Sequence, residues 1–258
     1  MNALFRIRQF LSYQWEAKTK YYLHSPFVYQ FYLNVLEGES DDHLSSIHLL
    51  REKLKNNSTP VEMEDYGTGV TSSLRQVSDL EKTVAVKEKY GLLLSRLVKH
   101  FQPKNILELG TSIGISSSYM ALAKPDSTIV SLEGSAAITE FAKQNHASLG
   151  IKNIEIISGN FNETISSSLR KLSSVDLVFF DGNHRSDSTL QYFYQCLEHS
   201  HENSIFIFDD IYWSDDMAKA WQQIKQHPRI TLSLDLFQFG ICFFRKDKLA
   251  KENFVLRY

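Results

Sequence analysis

Short apolar runs recur between residues 84 and 245, and amphipathic stretches separate them. Each run is bounded by glycine, proline or polar residues, which is typical of buried parallel strands. Five runs predict strands in this way: residues 106–109, 128–133, 154–157, 175–180 and 204–208. Apolar residues at intervals of three or four predict the helices: 90–101, 116–123, 136–149, 188–199 and 214–226.

The last apolar runs, 230–236 and 241–245, are joined through Gln238-Phe-Gly240, which predicts a closing hairpin. Strand and helix thus alternate five times before the hairpin. This alternation predicts an α/β fold with a doubly wound, Rossmann-like sheet.

The N-terminal region is predicted to be helical. Leu4, Ile7, Leu11 and Trp15 lie on one side of a helix over residues 3–17, which we interpret as packing on its own domain. The alternative is a helix that binds a membrane surface or a partner. A second helix is predicted to begin with Ser25 as N-cap and Pro26 at its first position, and a third covers 41–55. These elements would form an extension over residues 1–83, ahead of a domain over 84–258.

Residues 56–79 lack a convincing apolar run. Asp65-Tyr-Gly-Thr-Gly69 contains a glycine pair, but the preceding Val61-Glu-Met-Glu-Asp65 is too polar for a central parallel strand. We therefore predict a flexible loop, which would be a lid over the site if it has a function.

Composition narrows the possible functions. The 258 residues have 43% hydrophobic content and a net charge of −2, which gives no electrostatic reason to expect nucleic acid or a membrane as partner. Two cysteines, no zinc-type spacing and no signal-peptide pattern at the N-terminus predict a cytoplasmic protein.

The segment Asn105-Ile-Leu-Glu-Leu-Gly-Thr-Ser-Ile-Gly114 indicates a cofactor site. A strand that leads through a glycine turn into a helix is typical of nucleotide-cofactor binding. The dinucleotide pattern needs a glycine where Ser112 stands. A cofactor with an adenosine but no phosphates, such as S-adenosylmethionine, fits this turn better.

The motif Glu108-Leu-Gly-Thr-Ser-Ile-Gly114 resembles motif I of the class I S-adenosylmethionine-dependent methyltransferases. Residues 85–245 resemble the small-molecule O-methyltransferase branch that includes catechol O-methyltransferase. The resemblance implies a seven-stranded sheet in the order 3-2-1-4-5-7-6 with the last strand antiparallel.

Glu133 follows the second predicted strand, where its two carboxylate oxygens suit the two ribose hydroxyls. In the family, residues after the third strand contact adenine, although Asn160 replaces the more usual acid. The cofactor-binding residues implied are Glu108, Gly110, Thr111, Ser112, Gly114, Ser116, Glu133, Gly134, Asn160, Phe161 and Asp181.

Three carboxylates follow two neighbouring predicted strands. Asp181, Asp209 and Asp210 would repel one another unless a proton or cation intervened, and oxygen ligands suit Mg²⁺. The metal-dependent O-methyltransferases have a similar arrangement. The alternative is a metal-free site in which Asp181 holds the cofactor while Asp209 and Asp210 make turn and cap hydrogen bonds.

His184 stands where the catechol-type enzymes have a lysine that takes the substrate proton. Histidine is suited to general base catalysis near neutral pH, so His184 and Asp181 are the candidate catalytic residues. His184 could instead bind a metal, bond to the substrate or be an ordinary loop residue. Tyr212 and Trp213 could line an aromatic substrate pocket or serve only in packing.

The predicted function is methyl transfer to a small molecule, at a hydroxyl oxygen, by a chain that could be a homodimer. Two alternatives stay open. One is a nicotinamide-dependent oxidoreductase on a similar sheet, and the other is a non-catalytic interaction module that keeps the cofactor fold.

Overall fold

The computed structural model describes residues 3–39, 44–65, 71–247 and 250–258. The N-terminal region contains three helices, α1 (Ala3–Glu16), α2 (Pro26–Phe31) and α3 (Ser45–Lys55). α2 begins at Pro26 with Ser25 as its N-cap residue, as predicted, although the Ser25 side chain makes no capping hydrogen bond. Helix α2 continues into a π-helical turn over Tyr32–Leu36.

Helix α1 packs on its own domain as predicted, but not through the side that its apolar stripe indicates. Leu4, Ile7, Leu11 and Trp15 are 79%, 57%, 63% and 92% exposed, so the apolar stripe faces solvent. The helix is fixed through its other side, where Tyr13 is buried. The Tyr13 hydroxyl group provides a polar contact there that a search for apolar periodicity does not detect.

Residues 56–79 are largely regular, in contrast to the predicted loop. They contain the antiparallel strands β1 (Pro60–Asp65) and β2 (Thr71–Gln76), followed by helix α4 (Val77–Thr83). An antiparallel hairpin needs only one apolar face, and Val61 provides a buried side chain there. Residues 66–70, which include the predicted glycine pair, lie outside the described residues.

The central sheet confirms the predicted fold class. Its strands are β3 (Asn105–Leu109), β4 (Thr128–Glu133), β5 (Ile154–Ser158), β6 (Val175–Phe180), β7 (Ser200–Phe208), β8 (Leu232–Asp235), β9 (Gly240–Phe243) and β10 (Glu252–Val255). Their spatial order is β10-β8-β9-β7-β6-β3-β4-β5.

Without β10 this is the implied 3-2-1-4-5-7-6 arrangement, and β9 is antiparallel to both of its neighbours. The described sheet has eight strands rather than seven, because β10 pairs in parallel with β8.

Six helices accompany the sheet: α5 (Glu88–Phe101), α6 (Ile115–Ala123), α7 (Ala136–Ser148), α8 (Phe161–Leu172), α9 (Ser186–Leu197) and α10 (Asp215–Gln226). Helix α8 was not predicted, because serine and threonine interrupt its apolar face. That face is nevertheless buried through Ile165, Leu169 and Leu172.

One apolar core on each side of the sheet holds the layers together. Val28, Val35 and Ile47 of the N-terminal region are fully buried in the same core as Leu93 and Leu97 of α5. Among the described helices, none is both long and apolar enough to cross a membrane.

Candidate active site

The turn after β3 is a tight backbone cradle. Gly110 has φ +105°, and a Cβ atom there would lie 2.5 Å from the Asp181 carbonyl oxygen. Gly114 has φ +80°, and a Cβ atom there would lie 2.6 Å from His146 Nε2. Both positions therefore require glycine for their backbone conformation and for space. Between them Ser112 is also left-handed, at φ +48°, and its hydroxyl oxygen is buried without a hydrogen-bond partner.

A buried hydrogen-bond network supports this turn from below. Ser116 Oγ donates to Glu108 at 2.6 Å, and Ser131 Oγ donates to its second oxygen at 2.5 Å. Thr111 Oγ1 lies 2.5 Å from Ser131 Oγ. Loss of solvent raises the pKa of Glu108 to about 7, against the lowering effect of the serine hydroxyls. The side chains of Glu108, Thr111 and Ser116 thus fix the turn.

Glu133 ends β4 beside the glycine turn. Its Oε2 accepts the Ser112 backbone N–H at 2.8 Å, and its Oε1 accepts that of Ser135 at 3.0 Å. Burial raises the pKa of Glu133, while these backbone donors oppose the shift. Each carboxylate oxygen has further acceptor capacity, so the group can still receive two hydroxyl protons. Gly134 follows directly and completes the link to α7.

The residues after β5 occupy the next position along the sheet edge. Asn160 accepts the Asn162 backbone N–H at 3.0 Å, so its side-chain oxygen caps α8. Phe161 packs its ring against Gly182, where a Cβ atom would lie 2.5 Å from the ring edge. The ring also makes an edge contact with Tyr192. Phe161 therefore offers an aromatic surface between the ends of β5 and β6.

The structure brings Asp181, Asp209 and Asp210 together at the ends of β6 and β7. The side chains of Asp181 and Asp209 lie beside each other, at the ends of two paired strands. Desolvation and the neighbouring Asp209 raise the pKa of Asp181 well above its ordinary value. Desolvation and Asp210 raise the pKa of Asp209 in the same way.

Protein donors already contact this acid cluster of Asp181, Asp209 and Asp210. Gln238 Nε2 donates to Asp209 Oδ1 at 2.6 Å and to Asp210 Oδ1 at 2.9 Å. The Asp210 backbone N–H donates to Asp209 Oδ1 at 2.7 Å. Carboxylate oxygens suit Mg²⁺ chemically. Among the described residues, however, no three or more His, Cys, Asp or Glu side chains are arranged together so that they could hold a metal ion. As arranged, the acid cluster does not fit a bound Mg²⁺.

His184 and Trp213 lie next to Asp210. His184 Nε2 is 3.9 Å from Asp210 Oδ2, and the His184 and Trp213 ring centres are 5.5 Å apart. Arg6, from α1, has a terminal nitrogen 3.6 Å from Asp210 Oδ1 and its guanidinium carbon 5.4 Å from the Trp213 ring centre. An imidazole, an indole and a guanidinium therefore surround one carboxylate.

Tyr212 is a packing residue on the far side of this group. Its hydroxyl donates to Asp235 Oδ2 at 2.6 Å, and its ring stacks on Phe237. Phe10 and Tyr13 of α1 contact the same Phe237 ring at 5.1 and 5.4 Å between centres. Tyr212 therefore contacts Asp235 and Phe237, whereas Trp213 contacts His184 and Arg6.

Three residues of this region were not predicted from the sequence: Arg6, His146 and Gln238. His146 Nε2 lies 3.0 Å from Ser117 Oγ and 3.1 Å from the Gly114 carbonyl oxygen, and desolvation lowers its pKa to about 4. Gln238 lies in the predicted hairpin connection, and that position at the carboxyl edge was a usable signal. Arg6 and His146 gave none, because each meets its partner only through the tertiary fold.

Comparison with known proteins identifies the domain. Residues 107–211 match a family model described as a methyltransferase domain. The O-methyltransferase TomG from Streptomyces achromogenes, solved with S-adenosylmethionine, is similar in structure: TM-score 0.57, 20% identity, over 84% of this chain and 95% of that one.

Two further solved structures are similar. The O-methyltransferase from Bacillus cereus, in complex with S-adenosylhomocysteine, has a TM-score of 0.55 and 19% identity over 85% of this chain and 97% of that one. The methyltransferase PaMTH1 from Podospora anserina, also bound to S-adenosylhomocysteine, has a TM-score of 0.57 and 17% identity over 78% and 96%.

Residues 107–211 thus match a methyltransferase domain, and the chain has the fold of the solved methyltransferases that contain S-adenosylmethionine or its product. The resemblance carried by Glu108–Gly114 is thereby confirmed, together with the expectation of an enzyme of this class.

Proposed function

We propose that the protein transfers the methyl group of S-adenosylmethionine to a hydroxyl oxygen of a small molecule. This proposal rests on one observation: the glycine turn lies directly beside the acid cluster. The Asp181 carbonyl group lies against Gly110, and the Asp181 side chain lies beside that of Asp209. A cofactor held by the turn and an acceptor held beside His184 would therefore be neighbours.

The residues around the turn fit S-adenosylmethionine, which when bound supplies a methyl group on a positively charged sulfur. Ser112 has a buried hydroxyl that lacks a partner, and Gly110 and Gly114 allow close approach of a ligand to the backbone. Glu133 would accept the ribose hydroxyls, and Phe161 would contact the adenine. The structures of TomG and of the Bacillus cereus enzyme contain this cofactor or its product.

The acceptor end has the groups needed to activate a hydroxyl. His184 would take the hydroxyl proton, and Asp210, 3.9 Å away, would stabilise the imidazolium that forms. The oxygen then forms a bond with the methyl carbon as the carbon–sulfur bond breaks. Trp213 provides an aromatic surface for the acceptor. For that reason we propose that the acceptor is a phenol or another hydroxyl compound with a planar ring.

A methyl-transfer screen with isotope-labelled cofactor tests the function. We expect label in phenolic or alcoholic oxygens, identified by mass spectrometry, and no transfer to matched anilines or amines. Label on nitrogen or carbon would contradict the proposed acceptor. Binding of S-adenosylhomocysteine with no transfer to any acceptor would favour the non-catalytic module, and tight binding of a nicotinamide cofactor alone would favour the oxidoreductase.

Substitution of His184 tests the base. His184→Ala should lower turnover by roughly 10²–10⁴-fold, the usual range for a general base, and leave S-adenosylhomocysteine affinity unchanged. His199→Ala is a matched control, because His199 bonds to the Ser173 carbonyl oxygen, away from the residues of the proposed site. Full activity of His184→Ala would remove His184 from the mechanism.

A further inference from the structure

Helix α1 presents a positive charge to the acid cluster. Arg6 approaches Asp210 to 3.6 Å, and the two side chains are only 27% and 13% exposed. The helix cannot turn freely, because the Tyr13 hydroxyl donates to the Leu256 carbonyl oxygen at 2.7 Å and Phe10 packs on Phe237. The position of the guanidinium is therefore set by the fold.

The acid cluster favours such a cation. Gln238 Nε2 bonds to both Asp209 Oδ1 and Asp210 Oδ1, so these carboxyl groups lie side by side, where a nearby positive charge stabilises their ionised forms. Within the described residues, Asp210 forms ion pairs with Arg6 and His184. A guanidinium stays charged at any ordinary pH, whereas an imidazole does not. Arg6 is thus the permanent positive charge beside Asp210.

Arg6 and His184 also flank the same acceptor position. Both contact the Trp213 ring, at 5.4 and 5.5 Å from its centre. A hydroxyl that gives its proton to His184 would therefore develop negative charge close to the guanidinium. Fixed donors placed where charge develops are effective in catalysis, because they need no reorganisation during the reaction.

We propose that Arg6 is the resident cation of the acceptor site and supplies the charge compensation that the carboxylate pattern alone would assign to Mg²⁺. This rests on the proposed methyl transfer to oxygen. The bond changes are those of that reaction: the proton passes from the acceptor hydroxyl to His184, and the methyl group passes from sulfur to oxygen. Arg6 stabilises the oxygen during this transfer and stays unchanged.

Metal binding and turnover together test this assignment. For the wild type we expect turnover that EDTA does not lower and weak Mn²⁺ binding by electron paramagnetic resonance. Arg6→Gln should lower kcat by about 10²-fold, as for loss of one fixed donor to a developing oxyanion. The same variant should bind Mn²⁺ at least about tenfold more tightly, because one positive charge beside the carboxylates is gone. Added Mg²⁺ should then restore part of its turnover.

Two further variants serve as controls. Arg8→Gln removes the same charge from an exposed position of the same helix, and neither turnover nor Mn²⁺ affinity should change. Arg6→Lys keeps the charge and should keep weak Mn²⁺ binding with most of the turnover. If Arg6→Gln fails to fold in a melting experiment, Arg6→Lys and the EDTA experiment on the wild type still decide the question.

The assignment is overturned if EDTA abolishes wild-type turnover, or if Mn²⁺ binds the wild type and Arg6→Gln equally well. Failure of the proposed function would look different, since no hydroxyl acceptor would be methylated although S-adenosylhomocysteine still binds. The Mn²⁺ comparison needs no acceptor, so it tests Arg6 in either case.

Discussion

Glu108 is fully buried beneath the cofactor turn, and its two oxygens accept the hydroxyls of Ser116 and Ser131. Desolvation raises its pKa from 4.5 to about 7. Between these values the folded protein holds a proton that the unfolded chain releases, so stability should fall as the pH rises from about 4.5 to 7. Below this window the contribution is complete, and above it the contribution has been lost.

Glu108→Gln should therefore flatten the dependence of the unfolding free energy on pH. The substitution should remove a change of roughly 3 kcal/mol in the unfolding free energy between pH 4.5 and about 7, because one pKa unit is equivalent to about 1.4 kcal/mol. Urea unfolding between pH 4.5 and 8 measures this. Asp181 and Asp209 act in the same direction, so the comparison with the wild type isolates Glu108. Parallel pH profiles for the two proteins would show that folding does not raise the pKa of Glu108.

Glu133 is the residue on which ribose binding should depend most. Glu133→Ala should weaken S-adenosylhomocysteine binding by roughly 1.5–3 kcal/mol, which is typical of hydrogen bonds to a charged group. Glu133→Gln should lose less, since one oxygen acceptor remains. Calorimetry gives both values, with Glu140→Ala on the exposed side of α7 as control. Unchanged affinity in Glu133→Ala would place the ribose elsewhere.

Some residues of the candidate site were predictable because their constraints are local. Gly110 and Gly114 are required by the backbone of one turn, and Ser135 caps α7 within three positions. Arg6 and Asp210 are far apart in the sequence, and no local pattern around either residue predicts that their side chains meet. Such contacts are set by tertiary packing, which a single sequence does not display.

Among the elements, the β1–β2 hairpin lies beside the proposed ribose site. Ser135 Oγ donates to the Glu62 carbonyl oxygen at 2.9 Å and also accepts the Ile138 backbone N–H at the start of α7. The hairpin is thus attached one residue past the Glu133–Gly134 pair. A lid function for this segment stays a prediction, and the Ser135–Glu62 bond is where such a lid would be fastened.

Ser135→Ala should loosen the hairpin and α7 together. We expect a loss of about 1 kcal/mol for the cap and faster amide hydrogen exchange over 60–65 and 71–76. Ser214→Ala removes the equivalent cap of α10, where Ser214 Oγ accepts the Met217 backbone N–H, and does not touch the hairpin. Equal exchange in both variants would mean that the Ser135–Glu62 bond does not restrain the hairpin.

At the scale of the whole molecule, seven strands were predictable from their apolar runs and their order was implied by the family resemblance, but the eighth strand was not predictable. The apolar runs of β3 to β7 reflect burial on both faces, a signal that one sequence carries. Strand β10 has the sequence Glu-Asn-Phe-Val and is only partly buried, so it has no such signal. β10 forms a strand because it pairs with β8. This pairing also places the residues after β10 next to the N-terminal helices.

Hydrogen bonds of Leu256 and Tyr258 connect the N-terminal region with the domain that contains the sheet. The Tyr13 hydroxyl donates to the Leu256 carbonyl oxygen and accepts the Tyr258 backbone N–H at 3.0 Å. The Tyr258 hydroxyl donates to the Lys89 carbonyl oxygen at 2.9 Å and accepts from Arg96 at 2.7 Å. Residues of α2 and α3 are buried against α5 in the same core. The predicted boundary between residues 83 and 84 therefore crosses a densely packed region.

Deletion of residues 1–58 should accordingly expose part of the apolar core, lower solubility and remove the cooperative thermal transition. The milder variant Tyr13→Phe keeps the core but loses two hydrogen bonds, so we expect it to fold with about 1–3 kcal/mol less stability. It should also release α1 and with it Arg6, so turnover should fall while S-adenosylhomocysteine affinity stays constant. Calorimetric melting and binding measure both effects. A truncated protein with an unchanged melting temperature and full cofactor affinity would show that the N-terminal helices are an independent appendage.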